Sequence, residues 1–282
     1  MIDPRLKKLA NLLVNYSVEI QLGDWVLIRG DHIGEPLINE VYRAVLEAGG
    51  HATIRMGSDA LDRTYYQYAN DAQLEWIAPI EKQLMKEIDA SIAILSTTNS
   101  RALNGIPPSR QQIAQKARRE LMEIYMARSA EGALKWVGTL YPCSAYAQEA
   151  DMSLEEYADF VFSATFVDKE DPVKAWEEVH NKQQEIIDWL EGKKEVVIQS
   201  PNADLTLSIE GRTFINSDGK RNMPSGEVFT GPVEDSANGW VSFTYPAITK
   251  GREVEGVRLE FEDGKVVNAT AEKNEEFLIS QL

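Results

Sequence analysis

The feature that most limits how this chain can fold is a strand, a helix and a second strand set close together near its start. Trp25 to Arg29 is a short, mostly apolar run that comes after the turn residues Gly23-Asp24. Leu37, Ile38, Val41, Val45 and Leu46 then recur at helical spacing, Gly49-Gly50 closes the helix, and His51 to Met56 is strand-like again. Two strands joined through a helix lie parallel, because a tight hairpin leaves no room for one, and a parallel sheet is covered on both faces. Ahead of this unit, Asp3-Pro4 is a cap followed by a first-turn proline, with Leu6, Leu9, Leu12 and Leu13 at helical spacing behind it. Ser91 to Ser96 and Lys135 to Leu140 supply two more buried-type strands, separated by a helix from about Pro108 to Ala130. A further helical stretch opens at Ser153, with Glu156 at capping-box spacing, and runs to Glu191-Gly192.

The pattern then shortens. From Glu195 the segments VVIQS, DLTLSIE, RTFINS, WVSFTYPAI, VEGVRLEFE and KVVNAT alternate with turns at Asp218-Gly219, Asn238-Gly239 and Asp263-Gly264. Strands at that spacing predict antiparallel pairing. The fold class expected is therefore α/β: a mainly parallel domain over residues 1–194, followed by an antiparallel β-rich domain over residues 195–282. Ala271 to Leu282 reads as a terminal helix that stops inside an apolar pattern, which suggests an incomplete second domain.

Charge narrows the function. Asp and Glu total 45 against 29 Lys and Arg, a net charge of -16. A nucleic-acid partner is not expected, because phosphate binding leans on a basic surface. The hydrophobic runs are too short to span a bilayer, and the charged N-terminus is not a secretory signal, so a cytoplasmic protein with no membrane partner is expected. Cys143 stands alone, which rules out an intrachain disulfide, and its surroundings offer no local histidine to activate a thiol.

Standard catalytic motifs are absent: there is no H-E-x-x-H, P-loop or G-x-S-x-G. Gly30 and Gly34 form only G-x-x-x-G, short of a dinucleotide fingerprint. Of the three histidines, His32 sits at the carboxyl edge of the expected parallel sheet, where ligands bind in such folds, while His51 and His180 read as structural. The most unusual segment is INSDGKRNMPSGEVFTGPVED, residues 215–235, a long polar loop stiffened by Pro224 and Pro232 inside a β-rich region. Gly226 lets the chain turn just before Glu227, which would aim that carboxylate at a fixed point, with Val228-Phe229 anchoring the strand after it. One carboxylate is not a site by itself, and from the residues alone an ordinary solvated glutamate in a turn is the better reading.

The same loop closely resembles the signature of the aminopeptidase T / aminopeptidase S metallopeptidases. The likeness extends through LANLLVNYSVEIQLGDWVLIRG, YPCSAYAQEADMSLEEYADF, DLTLSIEGRTFINSDGKRNMPSG and GREVEGVRLEFEDGKVVNATAEKNEEF, in the family's order. The resemblance implies a metallo-aminopeptidase that acts on peptides, a pair of divalent cations (Zn, Co or Mn), and subunits that pair as a homodimer. It implies that Glu227, the glutamate of G-E-V-F, is one metal ligand. The family's remaining ligands include an H-x-D pair, whereas His32, His51 and His180 are followed two places on by Gly34, Thr53 and Lys182. The 282 residues alone are therefore expected to lack most metal ligands and to be inactive. Two other readings stand beside this one: a non-catalytic fragment that folds and dimerises, and a small-molecule-binding protein that uses the sheet edge near Gly30 to Gly34.

Overall fold

Helix α1 (Pro4–Leu12) starts where the sequence places it, with the Asp3 carboxylate accepting from the Arg5 amide at 2.9 Å. The computed structural model describes residues 3–249 and 252–282. After a short π-helical turn the chain enters β1 (Trp25–Asp31), α2 (Glu35–Glu47) and β2 (His51–Gly57), the anticipated strand–helix–strand. Its two strands pair in parallel from Trp25 opposite His51 to Asp31 opposite Gly57. Next come three helices that the sequence pattern did not announce: α3 (Asp59–Tyr68), α4 (Asp71–Glu75) and α5 (Pro79–Glu87). Local chemistry starts each of them. The Ser58 hydroxyl accepts from Leu61, Asn70 and Gln73 form a reciprocal capping box, and Pro79 opens the third.

Strand β3 (Ala90–Leu95) then pairs on the other side of β1. The single helix expected from Pro108 to Ala130 is two, α6 (Pro108–Ala117) and α7 (Arg119–Ala130). Arg118 breaks it with ψ at 0°, a bridge-region conformation that ends one helix and starts the next. Strand β4 (Lys135–Leu140) pairs in parallel with β3, and α8 (Ser144–Glu149), α9 (Leu154–Ala164) and α10 (Pro172–Leu190) come after it. The capping box foreseen at Ser153 and Glu156 has both of its hydrogen bonds.

Alternation along β1 builds the layers. Val26 and Ile28 face Leu9, Leu13, Leu37, Val41 and Val45 in the main core, while Leu27 packs with Leu84, Ile88, Tyr125 and Leu134 in a second cluster. Each fully buried side chain of this kind contributes about 1.5–3 kcal/mol.

The later strands are β5 (Glu195–Ser200), β6 (Ala203–Ser208), β7 (Ile215–Ser217), β8 (Asn222–Met223), β9 (Glu227–Phe229), β10 (Asn238–Ser242), β11 (Ala247–Thr249), β12 (Arg252–Val254), β13 (Arg258–Glu262) and β14 (Lys265–Thr270), with α11 (Glu275–Ile279) after them. Five make an antiparallel sheet in the order β14-β13-β10-β6-β5, as the turn-separated pattern requires. Gly239, with φ at +120°, is obligatory: a Cβ there would lie 2.0 Å from the Asp204 carbonyl oxygen. The run from Trp240 to Ile248 is not one strand, since β10 stops at Ser242, and the terminal helix is only the short α11.

Two compact units result: Met1–His180 with Ser217–Gly226, and Asn181–Asn216 with Glu227–Leu282. This division differs from one cut near residue 195. The chain leaves the first unit within α10, and a later segment returns to it. There β8 pairs in parallel with β4, Gly138 opposite Asn222 and Thr139 opposite Met223, so the first sheet reads β2-β1-β3-β4-β8. The outer edge of β4 carries backbone groups that need partners, and β8 satisfies some of them. Met223, 1% exposed, joins the main core. Among the described residues no helix is long and apolar enough to cross a membrane.

Gly219 makes the returning segment possible. It holds φ at +93°, and a Cβ there would meet the Met223 methyl at 2.7 Å and the buried Trp176 ring at 3.3 Å. At Gly132 (φ +75°) a Cβ would meet nothing within 4 Å. Gly132→Ala should therefore cost only the left-handed backbone term, about 1–2 kcal/mol. Gly219→Ala should cost measurably more in a urea unfolding curve. Equal losses would mean that the Met223–Trp176 contact has slack.

Candidate functional site

The loop of residues 215–235 is held at both ends, by different parts of the molecule. Its stretch Ser217–Gly226 belongs to the first unit. The Tyr16 hydroxyl donates to the Asp218 carbonyl oxygen at 2.9 Å, and the Ser17 hydroxyl donates to that of Gly219 at 2.7 Å. Asp218 is buried, and its carboxylate lies 3.0 Å from Nδ1 of His180. The Gly138 amide donates to the Arg221 carbonyl oxygen at 2.7 Å, and the Arg221 guanidinium lies over the Trp136 ring. The Ser217 and Ser225 hydroxyls share a 2.6 Å hydrogen bond, and the Gly226 amide donates to the Ser217 carbonyl oxygen at 2.9 Å. Burial pushes the Tyr16 phenol well above its ordinary range, with the charges of Asp218, Glu177 and Glu19 adding to the effect. The hydroxyl therefore stays a donor.

The second half belongs to the second unit. The Thr230 hydroxyl donates to the Thr213 carbonyl oxygen at 2.8 Å, Arg212 donates to that of Pro232 at 2.6 Å, and the Val233 amide donates to that of Ser208 at 2.8 Å. Between the halves Gly226 turns with φ at +110°, in line with the freedom the sequence assigns to it. Glu227 comes next, as the first residue of β9, and its side chain is exposed. Phe229 is 46% exposed, so the anchoring role expected of it falls instead to the hydrogen bonds of Thr230 and Arg212.

The other candidates are dispersed. His32 sits on a turn after β1 with Nδ1 2.7 Å from an Asp31 carboxylate oxygen. His51 opens β2 with its side chain exposed. Cys143 is a free, buried thiol. His180, which reads as structural in the sequence, joins Asp218 across thirty-eight positions of chain. No local motif could have announced that pair.

The sequence model for thermophilic metalloproteases (M29) matches residues 2–282. The chain belongs to that family. Aminopeptidase 2 of Geobacillus stearothermophilus is 27% identical over 297 residues, covering 98% of this chain and 72% of the relative. Aminopeptidase T of Thermus aquaticus is 27% identical over 295 residues, covering 97% and 72%. Wild-type AmpT from Thermus thermophilus shares the fold, with a TM-score of 0.82 at 23% identity over 99% of this chain and 74% of that one.

Membership implies a divalent metal. Among the described residues, no three His, Cys, Asp or Glu side chains gather into a group that could hold one. The residues present, with Glu227 exposed at the head of β9, do not by themselves fit a metal pair.

What the structure does fix is the approach to Glu227. Asp218→Ala should free the returning segment, costing about 1 kcal/mol through the lost hydrogen bond. Amide exchange at Gly138 and Gly226 should speed up with it. Glu227→Gln should leave both amides unchanged. If Asp218→Ala left them unchanged too, the carboxylate would have no part in holding the loop.

Proposed function

We propose that this chain is part of a metal-dependent aminopeptidase that removes N-terminal residues from peptides. The observation that carries the reading is the family match over residues 2–282, together with relatives named as aminopeptidases. With further ligands completing the site, Glu227 would hold one of a pair of divalent cations, which would supply Lewis-acid and metal-hydroxide chemistry for peptide hydrolysis. Glu227 is the proposed ligand, and the support for it is local. The G-E-V-F sequence matches the family's ligand motif, and hydrogen bonds fix the chain on both sides of it. The 282 residues supply too few ligands in this reading, so hydrolysis needs further ligands from beyond them. Residues 195–282 would then contribute to a catalytic domain.

The reading also includes a homodimer working in the cytoplasm. Support for self-association comes from apolar side chains standing in solvent on the second unit, among them Val197, Phe243 and Val267. That exposure equally suits a folded, dimerising piece with no activity of its own.

With zinc, cobalt or manganese added, the 282-residue chain should cleave aminoacyl p-nitroanilides at near-background rates. Joined to the ligand-bearing segment of a family relative, it should gain activity. Glu227→Ala in the joined protein should lower kcat by at least about a hundredfold, as expected for a lost metal ligand. Brisk metal-dependent cleavage by the 282 residues alone would overturn the ligand count. Full activity of the joined Glu227→Ala variant would overturn the assignment of Glu227.

A further inference from the structure

The first unit's sheet has its own place for a ligand. Its order, β2-β1-β3-β4, means that the chain builds to one side of β1 and then returns to build on the other. In open α/β sheets the connections leaving such a pair of strands diverge, and a crevice opens at their carboxyl ends. Here a cavity of about 760 Å³ lies at the ends of β1, β2 and β3, walled also by residues of α3, α5 and α7. That volume is within the usual range for small-molecule sites.

The charges lining it fall into two sets. Arg55 is tied to Glu81 at 2.8 Å, Asp31 caps Ile33 and contacts His32, and Asp59 accepts from Thr97 and from the hydroxyl and amide of Thr98. These are committed to the fold. Arg29, Arg118 and Asp62 have no ion-pair partner among the described residues; one Arg118 nitrogen donates at 3.3 Å to the Ala114 carbonyl oxygen, which leaves its charge unneutralised. The Arg29 guanidinium rests over the Tyr125 ring at 5.9 Å, and that of Arg118 over Tyr65 at 5.6 Å. Burial, then the charges of Asp59 and Asp31, raise the Asp62 carboxyl above its ordinary value, and Arg118 offsets this only in part. A cation near Asp62 and an anion near the two guanidiniums would each lower the energy of this arrangement. On the same wall the buried Ser96 hydroxyl has no hydrogen-bond partner. A polyanion is a poor match, because Asp31, Asp59, Asp62 and Glu81 all line the cavity.

We propose that this crevice binds a small zwitterion, an amino acid or short peptide whose carboxylate is held by Arg29 and Arg118 and whose ammonium faces Asp62. The site lies wholly within the first unit and stands independently of the peptidase reading.

Calorimetric titration of the metal-free 282-residue chain with Leu-Leu tests it without reference to activity. Saturable binding is expected, weakened at least about tenfold by N-acetylation or by C-amidation of the dipeptide. Arg29→Gln and Arg118→Gln should each weaken Leu-Leu by a similar factor, and Arg118→Gln should shrink the penalty for C-amidation. Asp62→Asn should shrink the penalty for N-acetylation. Leu121→Trp, which narrows the crevice with every charge intact, should weaken binding even if a charge variant fails to fold. The proposal is overturned by an absence of saturable binding up to on the order of 10 mM. It is equally overturned if Leu121→Trp leaves the affinity for Leu-Leu unchanged, or if AMP binds and Leu-Leu does not.

Discussion

The outer edge of β4 is the constraint on which the rest of this molecule turns. A parallel sheet leaves slanted, unsatisfied backbone groups along its last strand, and water or another strand has to meet them. Here part of that edge is met by Asn222 and Met223, which come from far later in the chain. Because those residues must reach β4, the β-rich part of the sequence cannot run uninterrupted. It is entered at α10, left for the segment from Ser217 to Gly226, and entered again at Glu227. The buried Trp176 and Met223 side chains, the hydroxyls of Tyr16 and Ser17, and the conformation of Gly219 all serve that one excursion.

Much of the fold was legible in the residues. The spacing of Leu37, Val41 and Val45 between two short apolar runs specified a parallel pair, and Lys135–Leu140 is the strand that its composition suggests. Asp3 and Ser153 announced helix starts through chemistry that acts within three or four residues. What stayed illegible depends on contacts distant in sequence. A two-residue strand such as Asn222–Met223 has too few side chains to show a period, and only the unpaired edge of β4 defines it. The break at Arg118 falls within a continuous helical pattern, because a bridge-region residue needs no glycine or proline. Phe229 looks like an anchor by composition, yet its exposure is decided by which neighbours the fold supplies.

The candidate sites divide in the same way. Glu227 could be singled out because its motif and its preceding glycine are contiguous, so a resemblance could reach it. The crevice at the β1/β3 switch point draws Arg29, Asp62 and Arg118 from one strand and two different helical regions. Their significance lies in which charges the fold leaves unneutralised, and that becomes visible only when every other charge in the cavity has been matched with its partner.

The excursion of residues 217–226 also bears on inheritance. A protein whose two units were joined by one linker could exchange either by recombination at a single point. This chain passes between its units at three places, so a single crossover near residue 195 would hand the new partner a sheet missing its fifth strand, and would leave that strand attached to a unit with nowhere to put it. One cut in the chain therefore cannot separate the two units without dividing the first unit's sheet.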